Sequence, residues 1–202
     1  MHQKLCCVLL FLPVFSYAEN AAATHLQTQL NALHTDHAQF IQTTVDDQNA
    51  VLQKSEGELW IQRPGKFRWQ VKMPNQQIIV LNGNTLSIYD VDLAQVTEQK
   101  LSAQQIDFSP ASLLSGTGVS LTKTFSIAEN ADHSFTLIPK QSHNSINKVQ
   151  VYFSQGKLVQ LNLWNQLGQK NIYQFSKIEW NRPITASMFQ LSIPKGVDVL
   201  RS

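Results

Sequence analysis

"GELWIQRPGKFRWQV", residues 57–71, sets a Pro-Gly corner between two segments that each carry tryptophan. Followed on to Met73, the second segment alternates Phe67, Trp69, Val71 and Met73 with Lys66, Arg68, Gln70 and Lys72. A period of two turns one face of a strand toward a core and the other toward water, as in a half-buried antiparallel strand. The corner itself carries Arg63, a cation set beside that apolar face.

Outward from this stretch the same period recurs. "QQIIVLNGNTLSIYD" reads as a hairpin, because Asn82-Gly83 is a residue pair suited to positive φ. Further strands are expected at 125–127, 134–138, 148–153, 158–164, 171–180 and 189–193, separated by turn formers such as Gln155-Gly156 and Leu167-Gly168. Two helices interrupt them. The first is expected over Thr24–Ala38, with Thr24 as N-cap and Leu26, Leu30 and Leu33 at spacings of four and three. The second lies in "FSPASLLSG", with Ser109 as cap, Pro110 at the first position, Leu113 and Leu114 within, and Gly116 closing it. So many strands with short connections predict one large meandering antiparallel sheet that curls or closes.

Residues 1–18, "MHQKLCCVLLFLPVFSYA", combine Lys4, an apolar run and a small-x-small ending, which reads as a secretory leader cut after Ala18. Cys6 and Cys7, the chain's 2 cysteines, would leave with it. The exported product is then expected without disulfides or thiol chemistry, unanchored, and as a single domain over 19–202. The formal net charge of +2 falls when Lys4 is removed with no acid, which argues against a nucleic-acid partner.

Catalytic signatures do not emerge. The chain has no G-x-S-x-G elbow, H-E-x-x-H helix, phosphate loop or dinucleotide fingerprint. His34 and His37, with Asp36 between them, could share a helical face and bind a metal, but no third ligand stands at a recognisable spacing. Asp90 and Asp92 read as acids at a strand end, and Glu56 and Glu58 as a carboxylate pair with no marked cleft. No enzyme, metal or cofactor is expected. The apolar inventory says more: one sheet face collects Phe67, Trp69, Val71, Met73, much of 78–81, Leu86, Ile88, Leu161, Leu163, Tyr173 and Phe175. Such a face needs a covering layer, and the candidates are the helices with Leu26, Leu30, Leu33, Leu113 and Leu114. If they do not fill the space, an apolar pocket remains.

The order of these motifs resembles a known family, the periplasmic outer-membrane lipoprotein carriers LolA. The likeness is carried by residues 57–71, by "PNQQIIVLNG" from Pro74, "IYDVDLAQVT" from Ile88, "FTLIPK" at 135–140 and "FQLSIPKGVDV" at 189–199. It implies a mainly β fold, an unclosed half barrel lidded by short helices around an apolar cavity. It also implies triacylated lipoproteins as cargo, an inner-membrane ABC transporter that loads the carrier, and an outer-membrane receptor that unloads it. The expected form is a periplasmic monomer. By resemblance, Arg63 is the latch that holds the helical lid shut. Phe67, Trp69, Val71, Ile79, Leu81, Leu86 and Ile88 would line cavity and mouth. Leu26, Leu30, Leu33, Leu113 and Leu114 would form the lid. Ser87 departs from the family, which often has a larger apolar residue there, and Asn82 stands where aspartate is common. A half-barrel lipid or lipoprotein sensor is the alternative reading, although such a protein normally carries a further domain. The anchored receptor of the pathway would need a lipidated N-terminal cysteine.

Overall fold

The computed structural model describes residues 15–101, 110–116, 120–141 and 146–201, with the backbone alone at 15–19 and 110–112. The first meander comprises β1 (Thr35–Val45), β2 (Val51–Gln62), β3 (Lys66–Met73), β4 (Gln77–Asn82), β5 (Thr85–Asp90) and β6 (Gln95–Lys100). The second comprises β7 (Phe125–Glu129), β8 (Phe135–Pro139), β9 (Ile146–Ser154), β10 (Lys157–Asn165) and β11 (Lys170–Trp180). Pairing of β1 with β11 joins the two, and β12 (Asp198–Arg201) runs parallel to β6. The result is one 12-stranded sheet in the order β12-β6-β5-β4-β3-β2-β1-β11-β10-β9-β8-β7, left open between its edges.

Helices cover one face, the inner one: α1 (Phe15–Ala32), α2 (Pro110–Ser115) and α3 (Leu121–Thr124). Ala22, Ala23, Leu26, Leu30 and Leu33 join Leu113, Leu114 and Leu121 in one apolar cluster with the inner side chains of both meanders. The mainly β, open, helix-lidded architecture expected from the sequence is what forms.

Several local expectations change. The first helix is not Thr24–Ala38: it begins at Phe15 and ends at Ala32, and β1 starts at Thr35. Thr24 is internal, its hydroxyl donating to Asn20 O at 2.8 Å, the back-bonding of a mid-helix threonine. The stop comes from a distant residue: Asn181 Nδ2 donates to Ala32 O, and Asn181 Oδ1 accepts the N–H groups of His34 and Thr35. No helical spacing rule could reveal that cap. The β4–β5 loop is Gly83-Asn84 rather than Asn82-Gly83, since Asn82 pairs with Thr85. Residues 189–193 are not a strand: a 3-10 turn at Ala186–Phe189 packs on β3 and β4, and the last strand comes at Asp198. Phe189, 1% exposed, lies outside the main cluster, as do buried Trp60, Val80, Tyr89 and Val96. Register assigns these strand residues to the outer face, where Ser87 opposite Val80 also sits, so that departure from the family bears on the outer face and not on the cavity. Ser109 lies outside the described residues.

The inner face turns on an aromatic layer. Phe40 stacks on Trp69 at 3.7 Å between centroids, and Trp69 meets Phe67, Tyr173 and Phe175 at 6.2, 5.3 and 6.5 Å. Phe40 lies opposite Gly57 in the β1–β2 ladder. A Cβ there would collide with the Gln70 carbonyl oxygen and stand 2.8 Å from Phe40 ring carbons. Gly57 is therefore the gap that lets the ring lie across β2. We expect Gly57→Ala to lower the unfolding free energy by about 3 kcal/mol, read as a shift in denaturant midpoint at constant m; a change under about 0.5 kcal/mol would show that the strand relaxes freely.

Candidate functional site

The β2–β3 corner, Arg63-Pro64-Gly65, reaches the end of α2. Arg63 Nη1 donates to Leu114 O at 3.3 Å, and the Gly65 N–H donates to Ser115 O at 2.9 Å. The last carbonyls of a helix have no intrahelical partners and carry partial negative charge, so a guanidinium is well matched to them. The Arg63 N–H in turn donates to His34 O at 2.8 Å, just past the end of α1. One corner thus holds the end of α2 and extends the β1–β2 ladder to the residue that links α1 to β1. Burial lowers the Arg63 pKa from its ordinary value, and a guanidinium remains charged nonetheless.

Gly116 completes the corner. Its φ of +69° suits a residue without Cβ, and a Cβ would lie 2.5–2.8 Å from the guanidinium atoms of Arg63. The arginine packs flat against the glycine backbone. Beside it opens a cleft of about 310 Å³, lined by Leu30, Leu33, Leu113 and Leu121 together with Gln27, Asn31, His34 and Arg63.

Of the sequence-selected residues, Leu26, Leu30, Leu33, Leu113 and Leu114 are buried beneath the helices, and Phe67, Trp69 and Leu81 are buried on the sheet. Val71, Ile79 and Leu86 are half-buried against the same cluster. Ile88 pairs with Ile79 on that face and is also half-buried. Met73 is 54% exposed, because the ladder shifts register between Glu56 and Gly57. Trp60 is on the other face, sandwiched by the His37 ring at 4.8 Å and the Arg68 guanidinium at 5.9 Å. Arg68 Nη1 also donates to Met188 O, pinning the C-terminal segment there. Sequence reasoning overlooked Phe40, Leu59 and Ile61. The alternation Ala38-x-Phe40 was a signal, obscured by extending the helix to Ala38.

The metal reading of His34, Asp36 and His37 needed a helix, but the segment is a strand. Asp36 and His37 therefore project to opposite faces, the latter with Nδ1 3.5 Å from Glu179. Asp90 accepts from Gln77 Nε2 at 2.6 Å and Asp92 from the Gln76 N–H at 3.2 Å. Glu58 pairs with Lys72 at 2.9 Å, while Glu56 is exposed.

A family profile described as "Outer membrane lipoprotein carrier protein LolA" matches residues 31–192. A protein of Coxiella burnetii named outer-membrane lipoprotein carrier protein is 38% identical over 188 residues, covering 91% of this chain and 89% of the relative. One of the same name from Legionella pneumophila is 37% identical over 198 residues, covering 96% and 97%. Among solved structures, an uncharacterized conserved protein of Thermus thermophilus has the same fold, with a TM-score of 0.55 at 11% identity over 89% of this chain and 99% of that one.

Asp36 remains to be explained. It is 1% exposed, opposite Ile61 and Trp180, and its Oδ1 lacks a hydrogen-bond partner among the described residues. Burial pushes its pKa up to about 7, against the smaller opposing effects of Lys157 and the His37 N–H. The native state then holds the proton more tightly than the unfolded chain, whose aspartate titrates near about 3.9. Stability should fall as pH rises from about 4 to 7 and level off above that. Asp36→Asn should flatten this interval and stabilise the protein at pH 8 by about 2–4 kcal/mol, measured by denaturant titration across pH. An identical pH profile in the variant would show that Asp36 is not held neutral.

Proposed function

We propose that this chain, which belongs to the LolA family of outer membrane lipoprotein carrier proteins, carries triacylated lipoproteins through the periplasm as a monomer. An inner-membrane ABC transporter loads it, and an outer-membrane receptor relieves it of cargo. Residues 19–202 make up the carrier once the leader is removed after Ala18.

The observation that supports this reading is the way the inner face is covered. Leu113 and Leu114 come from a helix of 6 residues, too short to be stable alone. Its buried leucines do what acyl chains would do in the loaded form, covering Phe67, Trp69 and their neighbours. Two hydrogen bonds from the Arg63-Pro64-Gly65 corner hold that helix in place. The covering layer is thus made of side chains that can be exchanged for a ligand of the same polarity.

The energetics require a device of this kind. Three chains of 16 carbons expose about 50 methylenes, roughly 40 kcal/mol of unfavourable hydration at about 0.8 kcal/mol each. No such anchor crosses water unaided. A carrier that bound with that full energy would never release its cargo, so loading must cost something. Reopening the lid exposes Leu113 and Leu114, at about 1.5–3 kcal/mol apiece, and breaks bonds of about 1 kcal/mol each. Those costs return as driving force on unloading. The carrier needs no chemistry of its own, and transfer follows the affinities of the two membrane partners.

Incubating spheroplasts with the purified mature protein tests the carrier role: lipoproteins are expected in a soluble one-to-one complex, and their retention in the membrane fraction would end the reading. Arg63→Leu tests the latch. Without the corner bond the shut state weakens by about 1–2 kcal/mol, so cargo should be held about tenfold more tightly and co-purify with the variant. Release to purified receptor at the unmutated rate would remove the latch role from Arg63.

A further inference from the structure

The inner face is not apolar throughout. Toward the β1–β2 and β10–β11 turns, beyond the aromatic layer, it becomes polar without becoming charged. Asn171 Oδ1 accepts from Gln42 Nε2 at 3.2 Å and from Thr44 Oγ1 at 2.6 Å, while Gln42 Oε1 accepts from Ser55 Oγ at 3.3 Å. These residues share a face, since Gln42 lies opposite Ser55 and Tyr173, and Thr44 opposite Gln53 and Asn171. Tyr173 borders the aromatic layer through its edge-on contact with Trp69. Burial pushes its hydroxyl up to about 12, so it is a neutral donor at any physiological pH.

The donor count matters. Asn171 spends its oxygen twice and neither of its amide N–H groups, Gln42 spends one N–H of two, and the Tyr173 hydroxyl has no hydrogen-bond partner among the described residues. Four donors are therefore left, with both amides already oriented by the network. Neighbouring positions on this face are Leu161, Leu163, Phe40 and Gly57, while Lys54 and Lys170 alternate onto the other face. Among the described residues the ledge offers N–H and O–H groups and no cation.

We infer that Gln42, Asn171 and Tyr173 form a donor ledge that takes the ester and amide carbonyls at the head of an acylated cysteine, whose chains lie on the aromatic layer about 7 Å away. This rests on the carrier reading above and adds a selectivity to it. Neutral donors suit the carbonyl oxygens of a diacylglyceryl thioether and an N-acyl amide. The carboxylate of a free fatty acid and the phosphate of a phospholipid call for a cation, which the ledge lacks, and their desolvation on it goes uncompensated. A passage rich in phospholipids makes that discrimination useful, because the acyl chains of a phospholipid and of a diacylglyceryl group are the same hydrocarbon and burial per chain cannot separate them.

Competition for a fluorescent apolar dye bound to the mature protein provides the test, with a synthetic tripalmitoylated cysteinyl peptide, palmitic acid and dipalmitoyl phosphatidylglycerol as competitors. The lipopeptide should be preferred over each of the others by at least about tenfold. Tyr173→Phe, which keeps the ring, should cut that preference about fivefold, and Asn171→Leu further, with Thr43→Ala, on the opposite face of β1, as a control outside the network. Preferences that stay the same in Tyr173→Phe and Asn171→Leu, or affinities that fall equally for all three lipids, would overturn the ledge and leave the carrier standing. If no acyl lipid displaces the dye from the unmutated protein, the carrier reading fails and the ledge falls with it.

Discussion

A sheet that rolls up without closing leaves its inner face uncovered, and water cannot be the cover when that face carries Phe40, Phe67, Trp69 and a wall of leucines. Everything else in the molecule answers this constraint. A closed barrel of the same strands would cover itself and have nothing to exchange. By stopping short, the sheet hands the task to short helices, whose hold is weaker than a strand ladder and can be given up.

The helices are not equivalent. α1 is tied at its C-terminal end by the Asn181 side chain, and at its side by His25, which lies 2.9 Å from a Glu129 oxygen and packs edge-on against Phe135. With four buried apolar residues along its length and Leu33 just past its end, it behaves as a fixed part of the wall. α2 has two buried leucines and the two bonds from the β2–β3 corner, so its departure costs less than that of α1. Beneath both, the aromatic layer is locked: Phe40 fits over Gly57, and Trp69 is hemmed in by rings from β1, β3 and β11. A rigid floor under a loose cover allows occupants to change without the sheet refolding.

The outer face contributes to that rigidity. The C-terminal segment crosses it, with Phe189 buried and Arg68 bonded to Met188, before β12 seals the edge of β6. Asp36 shows the opposite tendency. A buried carboxyl opposite Trp180 lowers stability at neutral pH, a cost carried where α1 meets the sheet.

Alternation alone was enough to determine most strands, a large antiparallel sheet and many of the residues facing inward, because a period of two assigns faces without knowledge of the partner strand; that the sheet stays open was implied by the family resemblance. The motifs at 57–71, 74–83, 88–97, 135–140 and 189–199 likewise pointed to the family, and Leu-rich spacings marked both lids. Tertiary structure decided what depends on distant partners. The end of α1 is set by Asn181, 149 residues from the Ala32 carbonyl it caps. The fate of Phe189 is set by a second apolar cluster on the face that should have been wet. The uncharged ledge exists only because Gln42 and Asn171, unremarkable polar residues in the linear chain, meet across the β1–β11 pairing. A sequence records each side chain's polarity and its local period, but pairing between remote strands chooses its neighbours, and for buried polar groups the neighbours decide the chemistry.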